Sequence, residues 1–339
     1  MASPAPLLDA RPEGLFAPAF EAHVDPAAPV ARAVLTHAHA DHAVAGHGEV
    51  WATSDTLALY RRRHPEWSGL SREFAYGEEI AQNGARLRLV PAGHVLGSAQ
   101  VWIGADDGVE NEEDSVLYTG DFKLRTGRTC APAQAPAATT LLMETTFGLP
   151  VFTFPPREIL ERRILDACRE ALQAGETPVL LAYALGKAQE VAALLTEAGI
   201  PTVLHGAAWK LLPEYAAAGV ALPLSRPYES GPPREGEALV TPPSTARTSM
   251  VRAIRKRRVI YLSGWALREA SRLEFEADVL VPMSDHADFP DLRRHVAAVS
   301  PRRVVTLHGF AQDFARILGA GGLPAEALAG REERPAEES

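Results

Sequence analysis

The chain has few cysteines and no long hydrophobic run. Only two cysteines, Cys130 and Cys168, occur among 339 residues, and they form no CxxC pair. This disfavours both a disulfide framework and a cysteine-bound structural zinc. No apolar stretch approaches the roughly 20 residues that a membrane-spanning helix needs, so we expect no membrane partner. The N-terminus also lacks the basic and apolar regions of a secretory signal, and the cytoplasm is the expected compartment.

Positive charge is scarce as well. The chain has 34 basic and 43 acidic residues, with a net charge of −9. This balance is unlike that of a protein that coats nucleic acid. It does not exclude an enzyme that acts on nucleic acid, because bound metal ions can neutralise phosphate locally.

The most informative pattern that is present is a run of four potential metal ligands. His37, His39, Asp41 and His42 directly follow the apolar stretch 31–35, which favours a strand. A loop after a strand can aim two imidazoles at one divalent ion and the next Asp and His at a second. Four such side chains at this spacing are hard to explain as packed core or as a solvated loop.

Similar side chains follow other short apolar runs or loops. They are Asp25, His94, Asp121, Glu144, Asp285, His286 and His308. Imidazole and carboxylate groups without a thiolate suit zinc, manganese or iron. The set exceeds what one tetrahedral ion can use, so we expect two divalent ions about 3.5–4 Å apart that activate a water molecule.

Short apolar runs alternate with helical patterns along the chain, which predicts an α/β fold. The predicted strands are 33–35, 87–90, 101–103, 116–118, 140–143, 179–181, 203–204, 238–240, 259–262, 279–281 and 304–307. The predicted helices are 54–63, 155–173, 187–198, 207–218 and 289–299. Ligand-type residues lie at both ends and not in the middle, which suggests one domain inserted into another.

Several motifs resemble the metallo-β-lactamase superfamily, namely Thr36-His-Ala-His-Ala-Asp-His42, Gly93-His94, Thr119-Gly-Asp121 and the late His308. Met143-Glu144-Thr-Thr-Phe-Gly148, Ser284-Asp-His286-Ala-Asp288 and Leu307-His308-Gly309 resemble its β-CASP nuclease branch, which includes RNase J and Artemis. Within that branch, three phrases resemble the bacterial ligase-associated DNA exonucleases: Pro91-Ala-Gly-His-Val-Leu-Gly-Ser98, Phe147-Gly-Leu-Pro150 and Ala182-Tyr-Ala-Leu-Gly-Lys-Ala-Gln189.

The resemblance implies a metallo-β-lactamase αββα sandwich with an inserted β-CASP α/β domain. We expect the first part of the sandwich at residues 1–148, the inserted domain at 149–276 and the second part of the sandwich at 277–328. The charged tail 329–339 is predicted to be disordered.

The resemblance also implies roles for the metal ligands. One ion would be held by His37, His39 and His94, and the other by Asp41, His42 and His308. Asp121 would bridge the two ions, and Asp25 would brace the histidine loop from behind. Manganese is favoured, and zinc is possible.

Catalysis would fall to Asp41, Glu144 and His286. The carboxylate of Glu144 would orient the imidazole of His286, which would contact the scissile phosphate or protonate the leaving oxygen. Asp285 would brace this loop. In the insertion, Tyr183, Lys187 and Trp265 are candidate substrate contacts, with a solvated lysine and a packed tryptophan as the alternatives.

These features predict a two-metal DNA exonuclease in DNA repair, with 5′ to 3′ digestion as the favoured direction. Its partner would be single-stranded DNA or DNA with a free end, and functional association with a DNA ligase and a helicase follows from the resemblance. A β-CASP ribonuclease that processes RNA ends is the alternative. RNase J-type enzymes carry a further C-terminal domain for which we expect no room after His308, and this favours DNA.

Two other classes of protein fit the sequence less well. Small-molecule thioester or lactam hydrolases of the superfamily lack the long insertion and the Ser284–Asp288 segment. A catalytically dead binding module would lack a ligand position, and here no ligand position is missing.

Overall fold

The computed structural model describes residues 6–106 and 114–328, and these divide into two compact units. Of the described residues, unit 1 comprises 6–106, 114–126, 130–151 and 286–328, and unit 2 comprises 127–129 and 152–285. We propose that unit 2 is the inserted domain. The tail 329–339, predicted to be disordered, lies outside the described residues.

The described residues form strands and helices. In chain order the strands are β1 (Asp9–Arg11), β2 (Gly14–Ala17), β3 (Ala22–Val24), β4 (Arg32–Val34), β5 (Glu49–Thr53), β6 (Leu70–Phe74), β7 (Glu79–Gln82), β8 (Ala85–Pro91), β9 (Ala99–Ala105), β10 (Ser115–Tyr118), β11 (Thr140–Glu144), β12 (Thr177–Leu181), β13 (Thr202–Leu204), β14 (Ser225–Pro227), β15 (Ala238–Thr241), β16 (Arg257–Leu262), β17 (Val279–Val281), β18 (Arg303–Leu307) and β19 (Ala325–Ala327). The α-helices are α1 (Ser54–Arg63), α2 (Arg157–Gln173), α3 (Lys187–Glu197), α4 (Gly206–Trp209), α5 (Leu212–Ala217), α6 (Ser249–Arg252), α7 (Ala270–Glu274), α8 (Phe289–Val299) and α9 (Ala311–Ala320). Within the described ranges, no helix is both long enough and apolar enough to cross a membrane.

Unit 1 contains two sheets that face each other. The first has the order β1-β2-β3-β4-β5-β6, and the second has the order β19-β18-β11-β10-β9-β8-β7. Apolar side chains of both sheets meet in one buried cluster, which includes Leu15 and Val34 from the first sheet and Leu89, Val101 and Leu307 from the second. Burial of these alternate side chains holds the sheets together.

Helices cover the outer faces of both sheets. Leu57 and Tyr60 of α1 pack against Val50 of the first sheet. Leu292 of α8 and Phe314 of α9 belong to the cluster on the outer face of the second sheet. Unit 1 is therefore an αββα sandwich, and the predicted fold class is confirmed.

Unit 2 is built on a fully parallel sheet of the order β14-β13-β15-β12-β16-β17. Ile164 of α2 and Val191 of α3 pack with Leu180 on one face of this sheet. Val251 of α6 and Tyr261 belong to the cluster on the other face. Parallel strands joined by helices are what the alternating pattern of this region predicts.

The structure differs from the sequence-based expectation in two respects. The helix predicted at 207–218 is two short helices, α4 and α5, because Pro213 lacks the N–H that a continuous helix needs and stands at the start of α5. Several elements were not predicted, namely β1–β3, β5–β7, β14, β19, α6, α7 and α9. Most of these strands have only three or four residues, and four of the five side chains of β6 are exposed.

The imidazole of His295 makes the stability of unit 1 depend on pH. It lies on α8 against the ring of Phe122, 4.5 Å between centroids, and neither ring nitrogen has a hydrogen-bond partner among the described residues. Burial lowers the pKa of His295 to about 4. The unfolded chain, with an ordinary histidine pKa near 6.5, therefore binds a proton that the folded chain rejects between these two pH values.

We expect this histidine to destabilise the fold as the pH falls from about 6.5 to 4, by about 2–3 kcal/mol. A His295→Leu variant should lack this part of the pH dependence. Chemical denaturation of both proteins at pH 7.5 and 4.5 measures the difference. An identical loss of stability in the two proteins would contradict the assignment.

Candidate metal centre

One edge of the second sheet gathers the ligand-type side chains. Strands β8, β10, β11 and β18 run in the same direction, so their carboxyl ends lie on one edge. His94, Asp121, Glu144 and His308 stand at or just after these ends. The backbone N–H of Ala99 donates to the carbonyl of Thr36 at 2.7 Å, which brings the loop after β4 to the same edge.

Three imidazoles and a carboxylate form the tightest group. The candidate ligand atoms of His37, His39, His94 and Asp121 all lie within 4.8 Å of one another. Nδ1 of His39 is 3.1 Å from Nε2 of His37 and 3.1 Å from Nε2 of His94. The Oδ2 atom of Asp121 is 3.6 Å from Nε2 of His37 and 3.7 Å from Nε2 of His94. The sequence predicted these residues as ligands, and the structure brings them together.

A buried carboxylate lies behind this group. Oδ1 of Asp25 accepts from the backbone N–H of Thr36 at 2.8 Å. Its Oδ2 accepts from the Thr36 hydroxyl at 2.7 Å, from Nδ1 of His42 at 2.9 Å and from the Tyr118 hydroxyl at 3.2 Å. Asp25 thus contacts the histidine loop and strand β10 at once, which supports its predicted bracing role.

The bonds around Asp25 assign the proton on two imidazoles. The single hydroxyl hydrogen of Thr36 points to Asp25, so the Thr36 oxygen accepts from Nδ1 of His37 at 3.0 Å. Nδ1 of His42 must likewise carry its proton, because an ionised carboxylate only accepts. In the neutral form of each imidazole the lone pair is therefore on Nε2, the atom that lies 3.6 Å from Asp121 in both cases.

Burial and neighbouring charges shift the pKa values of the side chains in this group. Burial, followed by the neighbouring imidazoles, lowers the pKa of His37 well below 6.5. Burial raises the pKa of Asp121 to about 7. Burial alone would lower the pKa of His42, but the surrounding carboxylates, first that of Asp121, raise it to about 10. A neutral His37 beside carboxylates that hold a positive charge on His42 fits a divalent ion with mixed nitrogen and oxygen ligands.

A second group shares Asp121. The ligand-type atoms of Asp121, Glu144 and His286 also lie within 4.8 Å of one another. Nδ1 of His286 is 2.9 Å from Oε1 of Glu144, and the N–H of Thr146 donates to Oε2 at 3.1 Å. Burial alone would raise the pKa of Glu144, but His286 and the bonds from Thr146 lower it. An ionised Glu144 that orients His286 is the arrangement that the sequence predicted.

The predicted ligands of the second ion are less close together. Nε2 of His42 is 3.6 Å from Oδ2 of Asp121 and 3.6 Å from Oδ2 of Asp41. The Asp41 side chain is 62% exposed, and the rings of His42 and His308 are 6.2 Å apart between centroids. Among the described residues, the compact ligand groups contain none of these three. Asp41 and His308 as ligands therefore stay predictions.

His308 occupies an unusual backbone conformation after β18. It has a φ of +60°, and the next residue, Gly309, has a φ of +54°. A side chain on Gly309 would place its Cβ 2.4 Å from the Cα of Thr146. The Thr145 hydroxyl donates to the carbonyl of His308 at 2.7 Å, so the two loops are joined. Only glycine fits this close approach.

The structure contradicts Lys187 as an exposed phosphate contact. Its side chain is fully buried, with Nζ 3.6 Å from Oδ2 of Asp285 and 4.6 Å from the centre of the Tyr183 ring. A buried ammonium needs such a partner, which also explains how Asp285 is held. Tyr183 and Trp265 are half-buried, and Trp265 packs edge-on against Phe152 at 5.3 Å between centroids. These two remain candidate contacts.

Sequence reasoning missed four residues that shape the centre. Thr36 and Tyr118 bind Asp25, and Arg125 and Asp288 form an ion pair next to His286. Thr36 was visible as the residue before the histidine run, and Tyr118 as the last residue of a predicted strand. Nothing in the sequence pairs Arg125 with Asp288, because 163 positions separate them.

Comparison with known proteins finds relatives that match most of this chain or a part of it. No protein-family model matches the chain. A protein named Probable DNA ligase from Opitutus terrae is 38% identical over 316 residues, which are 93% of this chain and 30% of that protein. An RNase J-like protein from Methanocaldococcus jannaschii is 30% identical over 118 residues, which are 34% of this chain and 27% of that protein. The chain thus spans less than a third of the length of either relative.

A solved structure shares the fold. The crystal structure of a protein of unknown function from Enterococcus faecalis matches with a TM-score of 0.61 and 14% sequence identity, over 89% of this chain and 80% of that one. At this identity the likeness concerns the fold alone.

Two facing sheets with outer helices, and imidazoles with carboxylates gathered at one sheet edge, are the features of the metallo-β-lactamase class. Within that class, the chain belongs to the β-CASP branch of the metallo-β-lactamase superfamily. The resemblance seen in the sequence is confirmed at this level.

Replacing Thr36 tests how the ligand loop is organised. Thr36→Val keeps the shape of the side chain but removes the hydroxyl oxygen that links Asp25 to His37. Nδ1–H of His37 then lacks that hydrogen-bond partner. We expect metal affinity to fall 10- to 100-fold, the usual effect of losing a bond behind a ligand, and Thr36→Ser to retain it. Chelator competition on metal-stripped protein measures the affinity. Equal affinity for the wild-type and Thr36→Val proteins, at equal melting temperature, would contradict this role.

Proposed function

We propose that the chain is a metal-dependent phosphodiesterase that hydrolyses nucleic acid from an end, with DNA as its substrate. The observation that carries this proposal is the position of the Glu144–His286 pair beside the imidazole and carboxylate group. His286 lies 4.9 Å from His94 between ring centroids, and both belong to unit 1. A hydrolytic centre and a proton donor are thereby next to each other.

The donor set indicates what the residues hold. His37, His39, His94 and Asp121 would bind one divalent ion, and His42 with Asp121, Asp41 and His308 would bind another. When bound, such ions supply an activated water and stabilise negative charge on phosphate oxygens. The side chains contribute orientation, since Asp25 fixes Nδ1–H of His37, through Thr36, and of His42, and leaves Nε2 for the ion.

His286 supplies the proton for the leaving group. Its Nδ1–H is held by the carboxylate of Glu144 at 2.9 Å, which stabilises the imidazolium form and leaves Nε2–H to be donated. As water oxygen bonds to phosphorus and the bond from phosphorus to the leaving sugar oxygen breaks, that oxygen takes the proton from Nε2. This is general acid catalysis by an imidazole.

Two observations bear on the choice between DNA and RNA. The relative from Opitutus terrae is named a probable DNA ligase, which supports DNA as the substrate and a ligase as a functional partner. The relative from Methanocaldococcus jannaschii is named RNase J-like, which supports RNA-end processing as the second candidate. A role in DNA repair, 5′ to 3′ digestion, a helicase partner and manganese as the active metal are further parts of the proposal.

A direct assay separates the two candidate substrates. End-labelled single-stranded DNA and RNA of one sequence are given to metal-stripped protein with added Mn²⁺, Zn²⁺ or Mg²⁺. We expect stepwise shortening of DNA, fastest with Mn²⁺, and slower cleavage of RNA. RNA cleavage at an equal or higher rate would overturn DNA as the substrate. Cuts within circular DNA would overturn digestion from an end.

Substitutions in the centre distinguish the proposed metal ligands from the proposed general acid. His37→Ala and Asp121→Ala should abolish hydrolysis with every metal, because each removes a ligand. His286→Ala should keep its metal content but slow the reaction by about 10²–10⁴-fold, the usual share of a general acid. His205→Ala, which removes a histidine of unit 2, is the matched control. Metal loss in the His286→Ala protein would make His286 a ligand instead.

A further inference from the structure

An ion pair lies directly beside the segment that carries His286. Nη2 of Arg125 is 2.6 Å from Oδ2 of Asp288, two residues after the histidine. The Asp288 side chain is 1% exposed and that of Arg125 is 23% exposed. A charge-assisted bond to a carboxylate that water cannot reach is stronger and better defined than a surface pair.

The same carboxylate begins helix α8. Oδ1 of Asp288 accepts from the backbone N–H of Asp291 at 2.9 Å, which is a helix N-cap. Nε of Arg125 is also 3.5 Å from Oδ2 of Asp291. One guanidinium therefore holds both the cap and the first turn of the helix, and the chain from His286 to Asp288 has little freedom left.

The loop that carries Arg125 also carries Asp121. Within this loop, the carbonyl of Phe122 accepts from the N–H of Ala287 at 2.8 Å, and the N–H of Phe122 donates to Oε1 of Glu144 at 3.3 Å. Oε1 of Glu144 is the atom that contacts His286. The Arg125–Asp288 pair and these two bonds thus set the place of His286 relative to Asp121 and Glu144.

We propose that Arg125 is a positioning residue that acts through Asp288 to hold the imidazole of His286 on Glu144. The inference rests on the proposed function, in which His286 donates the proton. Such a positioning residue affects the reaction rate only through His286. A purely structural arginine would affect the reaction whether or not His286 is present.

The test compares Arg125→Gln in two backgrounds. In the wild-type background we expect the single-turnover rate on end-labelled DNA to fall about 10- to 100-fold, the scale for a small misplacement of a reacting group, with KM and metal content changed less than about threefold. In the His286→Ala background the same substitution should cost less than about twofold, because the group that it positions is gone.

Three further variants serve as controls. Asp288→Asn keeps the helix cap, since asparagine caps as well as aspartate, but weakens the pair, and should match Arg125→Gln. Arg125→Lys keeps the charge and should recover part of the rate. Arg294→Gln removes an exposed arginine that pairs with Asp291 on the same helix, and should leave the rate unchanged. Melting temperatures check folding, and if Arg125→Gln does not fold, Asp288→Asn is compared in both backgrounds instead.

The outcomes separate the inference from the function on which it rests. A rate near that of the wild type for folded Arg125→Gln, or the same loss in both backgrounds, would overturn the positioning role. A wild-type protein that hydrolyses neither DNA nor RNA, or a His286→Ala protein of full activity, would overturn the proposed function. Loss of rate in the wild-type background alone supports both.

Discussion

The hydrogen bonds that the buried carboxylate of Asp25 accepts are the constraint on which the centre depends. A carboxylate can only accept, so Thr36, His42 and Tyr118 must each direct a hydrogen toward it. The proton on His37 and His42 then lies on Nδ1, and both Nε2 atoms face Asp121. Asp25 itself has a φ of +43°, a conformation that aspartate tolerates better than most residues. The fold holds this carboxylate by joining the end of β3 to the end of β4 and to β10.

The groups in front of Asp25 are arranged for a positive charge. Nδ1 of His39 lies 3.1 Å from Nε2 of His37 and from Nε2 of His94. A single hydrogen between these atoms cannot give all three nitrogens a good hydrogen bond. A cation bound to such a cluster would stabilise the folded protein, which couples metal binding to stability. Burial in this cluster lowers the pKa of His37 and raises that of Asp121, because it disfavours the charged form of each side chain. The Glu144–His286 pair borders the cluster through Asp121, so proton donation and metal binding share one carboxylate.

The sequence predicted the αββα fold class and the grouping of the tightest ligand set through its resemblance to the metallo-β-lactamase superfamily. The residue types and their spacing after apolar runs had already marked the same side chains as candidate ligands. It predicted α1, α8 and β17 with the bounds that the structure has. It missed β1–β3, since strands of three or four residues carry almost no periodic signal. Lys187 was misjudged because a lysine after glycine at a helix start resembles an anion site, whereas its burial against Asp285 depends on tertiary packing. The pairing of Arg125 with Asp288 also arises only from the fold.

Diffraction from crystals soaked in Mn²⁺, collected with anomalous signal, tests the central claim most directly. The account predicts two manganese peaks that share Asp121 as a ligand, with His37 and His42 bound through Nε2 and with Nδ1 of each still directed to Thr36 and Asp25. A single peak, ligation of either histidine through Nδ1, or peaks away from Asp121 would contradict it.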